Sequence, residues 1–398
     1  MSQSDDALTR ALSRSIRRIV PFTILMFLVS FLDRANVGFA KTALQADTGI
    51  SNRAFAMGLG LFFIGYSLVE TPSNLIMHRV GARRWMSRIM ITWGLASAAM
   101  LFVKGPLSFY LLRFALGVAE AGFFPGVALY LTYWFPAKTR GRAMGHFYIG
   151  LCLSFVIGGP ISGALLELDG LRQMHGWQWM FLFEGLAACL VGVVALWYLD
   201  DRPSSARWLE SDERVALERA LAEERNLTPV TAHSAIQLLL DVRVLYCSLI
   251  FCISQIALYG VTFYLPTQVA AMLGRKIGFE VGSISAIPWL CALLACTTIP
   301  GWSDRIGERR WTATSLATLC CAGLVLGSGA WGPFAGFVGL CVATAAIVSL
   351  QPIYFLFPTA YLTGRSAAAG LGIITSLGAL GVFSLRTSEF GATNNTDH

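Results

Sequence analysis

Charged side chains are scarce in this 398-residue chain, at 13% of the total, against about a quarter in ordinary soluble domains. The scarcity excludes a soluble enzyme, a nucleic-acid binder and a disordered regulator, all of which need charge to stay in water or to grip phosphates. Histidine is rarer still. Its five copies, His78, His146, His175, His233 and His398, fall in loops, at the start of one apolar run and in the tail. No His pair, Ser–base pair or G-x-S-x-G motif is found, so an intramembrane enzyme lacks its nucleophile or metal constellation. The nine cysteines, Cys152 to Cys341, lie inside apolar runs without metal-ligand spacing and read as small packing residues. No cofactor or metal is therefore expected. No cleavable leader is expected either, since residues 1–18 are polar and basic and lead straight into a long apolar run that should stay as a membrane helix. A membrane sensor would be expected to carry an appended signalling domain, and these residues do not read as one.

What the chain has in excess is apolar surface. Hydrophobic residues make up 55% of it, gathered in runs of roughly twenty, the length that crosses a bilayer core of about 30 Å. Spans are predicted near 19–40, 54–77, 85–103, 107–134, 144–167, 177–199, 244–272, 279–301, 311–330, 333–360 and 366–383. Run length and the lack of strict alternation select helices over barrel strands. With the N-terminus inside, inner loops hold 21 Lys and Arg against six in outer loops, which sets the N-terminus in the cytoplasm. Residues 200–243 carry nine acids and six arginines. They are too few for an independent core and read as a cytoplasmic linker with a helix over 206–224, whose apolar residues are Leu209, Val215, Leu217 and Leu221.

The stretch after the second span reads Arg79-Val80-Gly81-Ala82-Arg83-Arg84-Trp85. After the eighth span comes Arg305-Ile306-Gly307-Glu308-Arg309-Arg310-Trp311. One pattern, R-x-G-x-R-R-W, thus recurs at equivalent places in two six-helix blocks. A duplicated unit around a midplane cavity describes a secondary transporter. The expected organisation is a six-helix half over 1–199, the linker over 200–243, a second half over 244–383 and a disordered tail over 384–398.

The repeated loop resembles the signature loop of the major facilitator superfamily, roughly G-x-x-x-D-R-x-G-R-R. The second copy keeps Asp304, Arg305, Gly307 and Arg309. The first has Asn74 for the leading glycine and His78 for the aspartate. Further stretches resemble one branch, the anion:cation symporter family: Leu32-Asp33-Arg34-Ala35-Asn36-Val37-Gly38, Arg113 to Gly122 followed by Phe123-Phe124-Pro125-Gly126, Gly176-Trp177-Gln178-Trp179 with Phe183-Glu184-Gly185, Arg202-Pro203 with Ala206-Arg207-Trp208-Leu209, and Tyr361-Leu362-Thr363-Gly364 with Ala367-Ala368-Ala369-Gly370. The resemblance covers about residues 15–383. It implies an all-α polytopic membrane protein with the major facilitator fold, here with about eleven spans. It also implies carriage of tartrate, galactonate and other sugar acids, phthalate or hydroxyphenylacetate. The twelfth span of the family is expected to be missing, because the sequence turns polar after Phe383.

Charge inside a membrane helix costs about 2.5–3.5 kcal/mol on insertion scales and usually lines a pathway. The candidates are Asp33, Arg34, Glu70, Arg113, Glu120 and Glu184. Arg34 and Arg113 each lie six residues from the outer end of their spans, hence at a matching depth of roughly 9 Å. Two guanidiniums at one level suit a planar carboxylate. The alternative is that Asp33 and Glu120 only neutralise them. Arg113 and Glu120 are seven apart and share a helix face, so an arriving anion could compete for Arg113 and release Glu120 to take a proton. The resemblance implies protonation at Asp33 and Glu120 and substrate contact by Arg34, Arg113 and Tyr66. Glu70, just before Pro72, reads as structural, satisfying a disturbed helix, with protonation as the alternative. Glu184 reads as either a packing partner or a relay. Tyr259, Tyr264, Trp289, Gln351 and Tyr354 are possible cavity liners in the second half.

The expected function is secondary active transport, a proton-coupled symport of a small organic anion by alternating access. The expected carrier is a monomer in the bacterial inner membrane, with substrate, protons and the lipid bilayer as partners and no nucleic acid. Arg79, Gly81, Arg83, Asp304, Arg305, Gly307 and Arg309 form its gating loops. An anion exchanger and a truncated, inactive family member are the alternatives.

Overall fold

The computed structural model describes residues 3–227, 235–274, 279–328, 330–362 and 366–378. All regular structure among them is helical. The first half contains α1 (Gln3–Thr48), α2 (Asn52–Val80), α3 (Ala82–Ala98), α4 (Pro106–Glu120), α5 (Phe123–Trp134), α6 (Ala137–Phe147), α7 (Ile149–Leu166) and α8 (Gly176–Tyr198). The linker holds α9 (Ser211–Leu227) and α10 (Ala235–Leu240). The second half contains α11 (Val242–Leu273), α12 (Phe279–Ile306), α13 (Arg310–Gly327), α14 (Pro333–Tyr354), α15 (Pro358–Tyr361) and α16 (Ser366–Gly378). A helix stands at each of the eleven expected spans. Seven helical stretches in the described residues are long and apolar enough to cross a bilayer by length and composition. The tail over 384–398 lies outside the described residues.

Two boundaries differ from the run-length reading. The first helix does not start near residue 19 but at Gln3. Its early turns are amphipathic: Ala7, Ala11 and Ser15 recur every four residues and are buried, while Arg10 and Arg14 point to the linker helix. They pair there with Asp212 and Glu210 at 2.7 Å each. The linker helix buries Leu217 and Leu221, with Leu209 just before it, but Val215 is 62% exposed and does not belong to the packed face. The second difference is in the fourth span. It is broken between α4 and α5 at Gly122, whose φ of 87° is a left-handed conformation that glycine adopts without penalty. A Cβ there would also overlap Ser73 of α2. Glu120 thus closes α4 at a break in the bundle, next to the cavity.

Close helix packing comes from small residues, as membrane bundles require. Gly94 of α3 faces Gly185 of α8, with no room for a Cβ on either. Gly323 of α13 meets Gly339 of α14 in the same way. Leu107, Leu190, Trp197, Leu294 and Phe334 are more than half exposed, as lipid-facing side chains should be. The two halves touch at the end that carries the R-x-G-x-R-R-W loops. Gly145 of α6 packs on Cys296 and Pro300 of α12, Gly372 of α16 packs on Thr71 of α2, and Phe124 lies 5.0 Å edge-on to Phe355. That end of the cavity is closed.

Candidate functional site

Asp33 and Arg34 are neighbours on α1, so the helix turns their side chains about 100° apart. Arg34 enters the cavity between the halves, where it is lined by Phe62, Phe63, Tyr66 and Glu70 of α2, Gln255 and Tyr259 of α11, and Thr375 of α16. Its guanidinium donates through Nε to Glu120 Oε1 at 2.8 Å and through Nη1 to Tyr259 Oη at 3.1 Å. Nη2 approaches the same Glu120 oxygen at 2.7 Å. Its carbon also lies 5.2 Å from the Phe31 ring and 5.4 Å from the Tyr66 ring, which adds cation–π attraction in a dry site.

Arg113 is 4% exposed. Its guanidinium sits 4.8 Å from the Phe62 ring, and that of Arg34 sits 5.9 Å from the same ring. The two cations therefore flank one aromatic side chain, in keeping with their matched depth in the sequence. They line one cavity with Asp33, Tyr259 and Thr262.

Glu120 is fully buried. Oε1 accepts from Arg34 and from Ser30 Oγ at 3.2 Å, while Oε2 has no hydrogen-bond partner. The spacing argument paired Glu120 with Arg113 on its own helix. The ion pair seen is with Arg34 of α1, since shared facing along one helix says nothing about which side chain a neighbouring helix turns toward it. Asp33 accepts from Trp93 Nε1 at 2.8 Å and from Ser97 Oγ. Trp93 and Ser97 are four apart on α3 and share a face, a spacing visible in the sequence but not connected to Asp33 by it.

Two other buried carboxyls occupy different places. Glu184 Oε1 accepts from Ser162 Oγ at 3.3 Å, with Asn36 beside them, and its Oε2 is unpaired. Glu70 does not repair a disturbed helix, because α2 runs unbroken through Pro72. Its Oε2 accepts from Ser376 Oγ of α16 at 2.9 Å, a bond between the halves. Of the possible liners in the second half, Tyr259 faces the cavity. Trp289 stacks on Phe155 at 4.2 Å, Tyr354 donates to the Cys247 carbonyl, and Gln351 donates to Gln255 Oε1 at 3.1 Å. The Tyr264 side chain lies outside the described residues.

At the closed end, Asp304 Oδ2 accepts the Arg142 N–H of α6 at 2.7 Å, and Oδ1 lies 3.6 Å from Arg309 Nη2. Arg309 in turn donates to the Ala137 carbonyl at 2.5 Å. The second loop thus reaches across to the first half. The first loop does not mirror it. His78 Nδ1 meets Tyr133 Oη at 2.9 Å inside its own half, and Asp201 of the linker accepts the Arg83 N–H at 2.8 Å beside Gly81. Arg79, Arg305 and Gly307 are exposed. Asp201 escaped the sequence reading because it lies in a charged linker where nothing distinguishes one acid from its neighbours.

The comparisons agree with this architecture. Residues 23–384 match the Major Facilitator Superfamily. A putative tartrate transporter of Agrobacterium vitis is 43% identical over 96% of this chain and 84% of its own length. The inner membrane transport protein RhmT of Escherichia coli (strain K12) is also 43% identical, over 92% of this chain and 85% of its own. Among solved structures, the proton:xylose symporter XylE superposes with a TM-score of 0.78 over 96% of this chain and 90% of its own, at 14% identity. That last likeness is one of fold. With two 43% identical relatives that each align over nine-tenths of this chain, and a match to the superfamily from the first span to the last, the chain belongs to the Major Facilitator Superfamily and is a multi-pass membrane transporter, not an enzyme.

Proposed function

We propose that this transporter carries a small organic anion into the cell together with protons, by alternating access between its two halves. The observation that carries the reading is the Arg34–Glu120 pair, set in the cavity beside Arg113. In the empty site Glu120 neutralises Arg34. An entering carboxylate is planar and can take parallel hydrogen bonds from a guanidinium. It competes with Glu120 for Arg34 and brings its own charge to Arg113. Displaced from its cation in a water-poor cavity, the Glu120 carboxylate takes up a proton, because an unpaired buried charge is costly. Substrate and proton then occupy the site together, and the halves rock about them. Asp33, held by Trp93 and Ser97, is the second proton site of this scheme. Tyr66 walls the anion pocket beside Arg34. The relatives named as tartrate and inner membrane transport proteins support the anion class and a bacterial inner-membrane location, with the basic loops and the N-terminus on the cytoplasmic side. The carrier works as a monomer, residues 1–199 and 244–383 forming the moving halves and 200–243 the strap between them.

The test is uptake by proteoliposomes against a panel of sugar acids and aromatic acids, with a pH-sensitive dye inside. An inward proton gradient should drive accumulation, and the lumen should acidify as substrate enters. Glu120→Gln should keep substrate exchange but lose gradient-driven accumulation. If Glu120→Gln and Asp33→Asn both accumulate substrate as the wild type does, the proton travels by other groups. If the wild type exchanges anions but ignores the gradient, the carrier is an exchanger.

A further inference from the structure

A seam between α2 and α16 lies just below the cavity. It is built from polar and small residues rather than an apolar plug. Ser67 Oγ donates to the Ser376 carbonyl at 3.2 Å, Ser376 Oγ donates to Glu70, and Gly372 lets α16 sit against Thr71 and Asn74. The seam is also poorly satisfied. Glu70 is fully buried with Oε1 unpaired, and Asn74, 1% exposed, has both its amide oxygen and its amide nitrogen unpaired. Buried polar atoms without partners cost free energy that water would return. A shut seam with three such atoms is therefore set against a wetted, open one.

The groups that face Glu70 are few. Tyr66 is on its own helix, Thr375 and Ser376 come from α16, and Arg34 is the facing cation on α1. Arg34 is already committed to Glu120. An ionised Glu70 in the shut seam would be a buried charge whose facing cation is committed elsewhere, whereas a neutral carboxyl can sit there among the hydroxyls of Ser376, Thr375 and Tyr66.

We propose that Glu70 is a proton checkpoint at the loop end of the cavity, neutral while the α2–α16 seam is shut and ionised once the seam opens. Opening carries Ser376 away with α16 and admits water. The acid O–H then breaks, its electron pair stays on the carboxylate oxygen, and the proton goes to a water molecule. The charged and hydrated Glu70 resists being buried again, so the seam recloses only after a proton returns from the cavity, which Glu70 also lines. The inference adds a residue to the proton-coupled reading, but its switch can be tested without substrate.

The experiment uses a Thr71→Cys reporter in the otherwise native full chain, in vesicles that present the basic loops to the medium. A membrane-impermeant maleimide is the probe, and modification at position 71 is read by mass spectrometry. Labelling is divided by that of a single exposed reference cysteine at the same pH, which removes the thiolate's own pH dependence; the ratio should rise with pH, by up to about tenfold per unit, the limit for a single proton. Glu70→Gln, which stays neutral, should make the ratio independent of pH. Glu70→Asp should restore the dependence. Ser376→Ala, which keeps the carboxyl but removes its cross-seam bond, should label faster at every pH with the slope retained. A pH-independent wild type, an unchanged slope in Glu70→Gln, or a flat Ser376→Ala would each overturn the proposal. Should Glu70→Gln fail to fold, the wild type and Ser376→Ala still decide. Because no anion is involved, failure here is distinct from failure of the symport reading, which the dye-loaded proteoliposomes address.

Discussion

Across the cavity the two halves present different chemistry. The first half supplies both guanidiniums, Arg34 and Arg113, together with Asp33, Glu120, Glu184 and Glu70, all in helices. The second half faces them with hydroxyls and amides: Tyr259, Gln255, Thr375 and, behind Gln255, Gln351. In the symport proposed above, an anion bound between them would be held by charge on one side and read by neutral hydrogen bonds on the other. The division teaches how a carrier can bind and still release. Charge-assisted bonds stay with one half throughout the cycle, while the bonds that must break as the halves part are the weak ones. Among the described residues, Tyr259 bonds Arg34 at 3.1 Å and Ser376 bonds Glu70 at 2.9 Å across the walls.

The largest test of that contrast is to weaken one wall at a time. Arg113→Lys keeps the charge but loses the planar fork, and Arg34→Lys does the same while also freeing Glu120. A lost charge-assisted hydrogen bond is worth about 1.5–3 kcal/mol, or roughly 10- to 150-fold in affinity. Tyr259→Phe removes one neutral hydroxyl, worth about 0.5–1.5 kcal/mol or roughly 2- to 13-fold. Equilibrium binding of the transported anion to each purified variant measures the difference. Equal losses for Arg113→Lys and Tyr259→Phe would break the comparison and place the anion midway between the walls.

Two helices on opposite sides of the cavity, α4 and α11, should also differ in tolerance of a single methyl group at one position each. Gly117 of α4 lies against the Phe62 carbonyl and the Tyr66 amide of α2, so a Cβ there would strike backbone. Gly260 of α11 has nothing within 4 Å of its would-be Cβ. Gly117→Ala should destabilise the protein by about 1–3 kcal/mol, the usual cost of overpacking, and shift Phe62 relative to the two arginines beside it. Gly260→Ala should be neutral or stabilising by up to about 1 kcal/mol, through helix propensity. Thermal unfolding of the two variants in one detergent reads the sign of each change. A stabilising Gly117→Ala would mean that α2 and α4 are free to separate.

Much of this was legible in the sequence, for a physical reason. Bilayer thickness fixes run length, so the spans could be counted, and the recurrence of R-x-G-x-R-R-W exposed the two halves. The residue types of the charged wall were legible as well, because an arginine such as Arg113 is rarely retained in a membrane helix without a role. What escaped were relations between helices. The break at Gly122 lies inside a run that reads as one continuous span, and Glu120 two residues before it is as easily read as a pathway charge as a helix end. The amphipathic turns of residues 3–18 make sense only once the linker helix packs on them. Glu120 pairing with Arg34, Asp33 with Trp93, and Glu70 with Ser376 all depend on helix rotation and depth, which periodicity along one helix does not constrain. Glu70 was read against its own helix for this reason, while its hydrogen-bond partner lies 306 residues away.

The smallest effect is expected at the two basic loops, where the contrast between the halves turns on a single residue. Asp304 ties α12 to α6 through the Arg142 amide, in a half-buried setting near Arg309. Its counterpart His78 bonds Tyr133 within the first half. Only one of the two copies therefore spans the interface through this position. Asp304→Asn keeps an oxygen that can accept the amide hydrogen but loses the charge. The loss is the difference between a charge-assisted and a neutral hydrogen bond, about 1 kcal/mol, so the ratio of closed to open loop end should fall roughly fivefold. His78→Asp should move that ratio less, since the Tyr133 hydroxyl can donate to the new carboxylate and keep it inside its own half. Maleimide labelling at a Thr71→Cys reporter, at fixed pH, measures both variants on one scale. A His78→Asp effect as large as that of Asp304→Asn would show that the first loop also crosses the interface during the cycle, and that the two copies differ in residue but not in work.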